Sequence, residues 1–175
     1  MIETERLILR VPTPADRDAL HAMWADPRVM ADLGPIKSVA DSVATITRHD
    51  GYRHEGIGFW VVAQRRDGAV AGFCGLKRGA DNTPISGELE AGWMLAVPFW
   101  GRGYAYEAMQ ASLAWGWANK KAQRIVAITA ARNGKSQGLM ARLGMTRVAD
   151  GDFEHPLFAP GDPLRATVTF EIPRP

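Results

Sequence analysis

The stretch Ala96-Val97-Pro98-Phe99-Trp100-Gly101-Arg102-Gly103-Tyr104-Ala105-Tyr106-Glu107-Ala108 joins a strand-like run, Glu88 to Leu95, to a helix-like run, Tyr104 to Asn119. The junction itself holds two glycines, one arginine and no acid. Glycines let a backbone approach a phosphate closely, and the free amides at a helix N-terminus meet its charge. By itself the loop fits a phosphate cradle and a plain glycine turn before a core helix equally well.

Two nucleotide cradles fit poorly. A P-loop closes on Gly-Lys-Ser/Thr, whereas Gly103-Tyr104-Ala105 offers neither the lysine nor a hydroxyl for Mg²⁺. A dinucleotide fingerprint needs three glycines on the first strand and an acid about 20 residues on. Here the loop follows the fourth strand, and the downstream segment is Lys120-Lys121-Ala122-Gln123-Arg124.

The chain has 175 residues, 46% hydrophobic and 23% charged, and reads as one soluble domain spanning 1–175. A net charge of +2 gives no reason to expect nucleic acid, and the single cysteine excludes an internal disulfide or a cysteine-built metal site. His21, His49, His54 and His155 show no metal-ligand spacing, so no metal is expected. The N-terminus lacks the apolar core of a signal peptide, and no apolar run is long enough for a bilayer; a cytoplasmic location without membrane contact is the expectation. Charge is uneven. Residues 81–100 hold three acids and no Lys or Arg, while residues 101–142 hold seven bases against Glu107. That suits a cationic substrate beside a polyanionic cofactor, and equally suits solvated element ends.

Apolar spacing predicts strands at 6–11, 58–63, 70–77, 88–95, 124–131, 145–149 and 166–172. Helices are expected from a Thr13 cap to Asp26, from a Ser38 cap to Arg53, from Tyr104 to Asn119, and from Asn133 to Leu143. The order is mixed α/β, without repeats or linkers.

From Trp100 to Ala105 the chain resembles the acyl-CoA signature Gln/Arg-x-x-Gly-x-Gly/Ala of the GNAT superfamily of N-acetyltransferases. Gly103 and Ala105 match, and Trp100 replaces the leading Gln/Arg. The wider string from Glu90 to Ala108 is similar to the RimJ/RimL-type branch, which acetylates ribosomal-protein N-termini and has small-molecule relatives. Thr4-Glu5-Arg6-Leu7-Ile8-Leu9-Arg10, Asp26-Pro27-Arg28-Val29-Met30, Asn133-Gly134-Lys135-Ser136 with Leu143-Gly144-Met145, and Phe153 to Gly161 resemble further segments of that branch, in order.

The resemblance implies a GNAT acyl-CoA N-acyltransferase fold: a mostly antiparallel sheet of about seven strands, splayed between the fourth and fifth, with about four helices. It also implies an acetyl-CoA-dependent N-acetyltransferase acting on a primary amine, a peptide N-terminus or a small molecule. Leu95, Ala96 and Val97 would meet the pantetheine and thioester. Gly101, Arg102, Gly103, Tyr104 and Ala105 would meet the pyrophosphate, and Asn133 and Ser136 the CoA arm. Ser136 is the candidate acid, because the resemblance places this position near the CoA sulfur; the tyrosine that many members carry seven residues after the asparagine is Met140 here. Glu90 is the preferred general base and Glu88 the second; both sit on one strand face, opposite Leu89, Ala91 and Trp93. The rival function is a non-catalytic acyl-CoA-binding or regulatory module on the same fold, and a nucleic-acid-binding module is a distant third. Cys74 is expected in the core. The acceptor side, at loops 28–37, 79–87 and 153–163, carries no legible specificity. The oligomeric state, monomer or homodimer, is equally illegible.

Overall fold

The structure, a computed structural model, describes residues 1–175. Nine strands form one sheet: β1 (Ile2–Glu3), β2 (Leu7–Arg10), β3 (Trp60–Gln64), β4 (Val70–Arg78), β5 (Leu89–Leu95), β6 (Arg124–Ala130), β7 (Thr146–Arg147), β8 (Phe153–Glu154) and β9 (Ala166–Pro173). Five α-helices cover it: α1 (Arg17–Trp24), α2 (Pro27–Met30), α3 (Val39–Asp50), α4 (Tyr104–Asn119) and α5 (Gly134–Arg142). The seven expected strands are present. The two-residue strands β1 and β8 and the single-turn α2 are additions, too short to carry a period.

Strands run in the order β1-β2-β3-β4-β5-β6-β9-β7, with β8 also on β9. Every pairing is antiparallel except β5 with β6, and those two share only one register pair, Glu90 opposite Val126. Beyond that pair they part. The expected splay between the notional fourth and fifth strands lies here.

Both sheet faces are covered, so β3 reads as an unbroken buried run. Its Trp60 and Val62 face α4 in a core with Leu76, Leu89, Met109 and Leu113. Val61 and Ala63 face α1 and α3, with Leu20, Trp24, Ile46 and Phe73. The central helix α4 approaches the sheet at Gly116, where an added Cβ would lie 2.6 Å from the Leu76 side chain. Cys74 is fully buried in the α4-side core, and burial pushes its thiol up to about 12.

Local chemistry sets the helix ends. Thr13 and Asp16 form a capping box, and Arg10 clamps Asp16 through two contacts of 2.7 Å. Burial opposes the Asp16 charge, but Arg10 and Thr13 outweigh it and hold the carboxyl down to about 2. The second expected helix stops at Asp50 rather than Arg53. The chain there enters a 3-10 turn, and the Arg53 guanidinium turns inward to donate to the carbonyls of Ile57, Gly58 and Phe59.

His49, on the inner face of α3, stacks on Phe59 at 4.3 Å and meets Phe73 edge-on at 5.0 Å. Its Nδ1 accepts the Phe59 N–H at 3.1 Å. Burial, with Arg48, Lys77 and Arg53 adding to it, pushes its pKa down to about 2 from 6.5. Below pH 6.5 the unfolded chain therefore binds a proton that the folded chain refuses, so stability falls with pH. Between pH 7 and 5 this loss is about 2 kcal/mol. In denaturant titrations at the two pH values, His49→Gln should shrink the stability difference by that amount; an unchanged difference would show that His49 is not its source.

Candidate active site

Where β5 and β6 part, a cleft of about 480 Å³ opens. One wall is the end of β5, at Trp93, Met94 and Leu95; the floor is the segment Phe99 to Tyr106. Asn133, Ser136, Leu139 and Arg142 of the α5 segment, each a neighbour of the next on a stripe that winds along the helix, form the opposite wall with Lys135. Arg28, Val29, Asp32 and Leu33, from α2 and the turn after it, close one side. Across that mouth the Arg132 guanidinium meets the Asp32 carboxylate at 2.9 Å.

The floor is unusual in its backbone. Gly101 and Gly103 adopt φ of 72° and 77°, the left-handed region where only glycine is unstrained. The amides of Gly101, Arg102 and Gly103 make no hydrogen bond within the protein. Nor do those of Ala105 and Tyr106 reach the carbonyls four residues back; the first such bond at this end of α4 is Glu107 N–H to Gly103 O, 3.1 Å. A run of donors thus faces the cleft at the positive end of a four-turn helix.

The β5 wall is also rich in free backbone groups. Ala96 N–H donates to Ala71 O of the β4 side at 2.9 Å. Antiparallel alternation then turns the N–H groups of Trp93 and Leu95 to the edge that β6 has left. Of the three residues expected to meet the thioester arm, Leu95 lines the cleft, whereas the Ala96 amide is committed to the sheet. The Leu95 carbonyl accepts the Trp100 indole N–H at 2.8 Å. Trp100, standing where the family signature has Gln/Arg, therefore pins the loop to the strand end.

Asn133 is buried and caps α5, its side chain accepting the Ser136 N–H at 3.1 Å. Met140 packs into the α4-side core, away from the cleft face of α5. Arg102 does not line the cleft; its guanidinium lies 5.8 Å from the Phe99 ring.

Two cations that sequence reasoning passed over do line it. Lys135 Nζ sits 4.9 Å from the Trp100 ring centre and the Arg142 guanidinium 4.8 Å from that of Tyr106. Neither pairs with a carboxylate, so both remain available to an anion. Their nearness in sequence to Asn133 and Ser136, on the same helical segment, was the available signal.

The two candidate bases are placed differently. Glu88 precedes β5 and is held by Arg124, Nη2 to Oε1 2.8 Å, and Arg124 also binds Glu171 at 2.6 Å. Glu90 is buried at the vertex, its side chain on the sheet face opposite Ala91, ion-paired with Lys77 directly across on β4. Burial raises its pKa, with Lys77 and Arg48 working against the rise. It does not line the cleft, and its Cα lies about 10 Å down the strand from Trp93, at some 3.3 Å per residue.

The chain belongs to the GNAT acetyltransferase family: the Acetyltransferase (GNAT) domain matches residues 6–146. It is 27% identical over 148 residues to the uncharacterized protein YkkB of Bacillus subtilis (strain 168), covering 81% of this chain and 83% of that one. The crystal structure of an acetyltransferase from Agrobacterium tumefaciens str. C58 superposes with a TM-score of 0.79 at 26% identity, over 98% of this chain and 92% of that one. RimL, a ribosomal L7/L12 α-N-protein acetyltransferase solved with coenzyme A, shares the fold at a TM-score of 0.76 and 17% identity, over 97% and 95% of the two chains.

The left-handed floor yields a direct check. Valine at position 103 costs about 1–2 kcal/mol in that backbone region and forces the loop amides to turn. Gly103→Val should weaken coenzyme A binding at least tenfold by calorimetry. Gly68, at φ 74° in the β3–β4 hairpin, serves as control, because Gly68→Val carries the same backbone strain and should leave binding unchanged.

Proposed function

We propose that the protein transfers the acetyl group of acetyl-CoA to a primary amine, on a protein N-terminus or a small molecule, by direct attack within a ternary complex. The observation that carries this is the unpartnered amide run from Gly101 to Tyr106, facing the unpaired Lys135 and Arg142 across the cleft. Donors and cations with nothing to bind in the protein fit a diphosphate with further negative charge on its nucleoside end. The same residues fit coenzyme A better than a nucleoside triphosphate, because no lysine or hydroxyl closes the loop.

When bound, acetyl-CoA supplies an activated thioester. The Gly101 to Ala105 segment holds its diphosphate, with the Arg102 charge nearby, and Asn133 and Ser136 flank its arm. The free N–H groups at Trp93 and Leu95, with Val97 beyond them, stabilise negative charge building on the acyl oxygen, usually a large contribution. The cleft holds both reactants in one geometry. Ser136 is the proton donor to the departing sulfur. No group at Met140 assists it, and a thiol of pKa about 8.5 needs little assistance. Glu90 takes the proton from the incoming ammonium. Its position outside the cleft lining makes this a relay through water, and the burial that raises its pKa improves it as a base.

The ordered motifs from Thr4 to Gly161 support placement near the RimJ/RimL branch, with a peptide α-amine among the acceptors to test first. The cytoplasm, where acetyl-CoA is present, is the proposed setting.

Release of coenzyme A in a screen of amines, with ribosomal-protein N-terminal peptides included, tests the activity; binding of acetyl-CoA without turnover of any amine would instead support a regulatory module. Once an acceptor is found, Glu90→Gln should lower kcat by about 100-fold and flatten the rise of rate with pH, while coenzyme A affinity stays within twofold. A pH–rate profile that keeps its rise would remove Glu90 as the base.

A further inference from the structure

We propose that Arg6 is a positioning residue that keeps the Gly101–Tyr106 loop open for the diphosphate; the proposal rests on the acetyl-CoA reading above. Arg6 lies just before β2, about a hundred residues from the loop in sequence, and is not part of the cleft lining. Its guanidinium nonetheless touches the loop in three ways. Nη1 donates to the Arg102 carbonyl at 2.8 Å. Nε and Nη2 each reach Glu107 Oε2 at 2.6 Å. The plane sits 4.9 Å from the Tyr104 ring centre.

The first contact matters for the amides. In a regular helix the Arg102 carbonyl would accept the Tyr106 N–H, four residues on. Here Gly103, in the left-handed region, is the N-cap, so the Arg102 carbonyl lies ahead of the helix and the Tyr106 N–H is one of the free first-turn donors; Arg6 takes up that carbonyl. Arg6 thus holds the Arg102 carbonyl turned away from the loop amides, where it cannot swing back to compete with a bound anion.

The second contact matters for charge. Glu107 is the one acid in the basic stretch from residue 101 to 142, and it stands in the first turn of the helix whose N-terminus faces the cleft. Its Oε1 accepts the Thr4 hydroxyl at 2.6 Å and the Arg6 backbone N–H at 2.8 Å, so all its partners come from the segment before β2. Burial works against its charge, but Thr4 and Arg6 overcome this and hold its pKa below the usual carboxylate range. An ionised carboxylate here repels a diphosphate unless it is neutralised, and the Arg6 fork neutralises it. The Arg6 fork therefore both shapes the amide cradle and cancels the adverse charge beside it.

The test is calorimetric binding of coenzyme A, inorganic pyrophosphate and pantetheine to Arg6→Gln, Arg6→Lys, Glu107→Gln and the double variant Arg6→Gln/Glu107→Gln. Arg6→Gln should weaken coenzyme A and pyrophosphate at least tenfold and leave pantetheine, which has no diphosphate, unchanged. The double variant should recover at least threefold of the loss, because the uncompensated carboxylate is gone. Arg6→Lys keeps the charge but cannot span both Glu107 and the Arg102 carbonyl, so it should weaken coenzyme A at least threefold, and Glu107→Gln should bind as tightly as wild type. Should Arg6→Gln not fold, the latter two variants decide. Equal losses for coenzyme A and pantetheine, or Arg6→Lys binding like wild type, would overturn the positioning role. Wild-type protein that fails to bind coenzyme A would overturn the acetyl-CoA reading along with it.

Discussion

The cleft depends on one constraint: β5 and β6 run parallel and share a single register pair, Glu90 with Val126. Everywhere else the sheet is zipped by antiparallel neighbours, β4 with β5 over seven pairs and β6 with β9 over seven. The two halves are thus rigid, and the twist of each carries them apart past the one shared pair. Backbone groups on the vacated edge of β5 need partners. Trp100 satisfies the Leu95 carbonyl; the amides beside it are left for a ligand.

The sheet also divides labour between its faces. On the α4 side it carries the core that seats the loop and the helix N-terminus, with Tyr104 buried and its hydroxyl donating to Gln64 at 2.9 Å. On the α1 and α3 side lie the polar and titratable groups, Lys77 with Glu90 and the buried His49 with its aromatic neighbours. A carboxylate at the vertex belongs to this second face and reaches the cleft only past the strand edge. Glu90, the base proposed above, is thereby set on the opposite sheet face from the Gly101–Tyr106 loop, with Lys77 as its charge partner.

Features encoded by neighbours in sequence were legible. The glycine pair ahead of α4, the Asn133–Ser136 cap, the burial of Cys74 and the succession of the seven main strands along the chain each follow from local spacing. Features created by strand register were not. Lys77 meets Glu90 only because β4 and β5 align them, and Arg124 captures Glu88 and Glu171 from two separate strand regions. The Arg6 contacts with Arg102 and Glu107 span some hundred residues and leave no periodic trace. Trp100 looked like a plain departure from a signature; its indole has a structural partner that a one-dimensional pattern cannot supply. Lys135 and Arg142 were readable as helix neighbours of Asn133 and Ser136, but their freedom from acidic partners was not.

The tie between the segment before β2 and the start of α4 also bears on how the chain reaches its final form. Strands β3 to β5 and α4 follow one another in sequence, whereas the fork from Arg6 to Glu107, like the packing of β1 and β2 on α4, closes a circuit of about a hundred residues, the type of contact that forms late because its loop entropy must be met first. The Gly101–Tyr106 loop is consequently among the last parts to acquire its final shape. A compact chain with its β3 to β5 and α4 layers in place but without the Arg6 fork would lack the ordered loop, so on the acetyl-CoA reading a diphosphate ligand would bind only the finished protein.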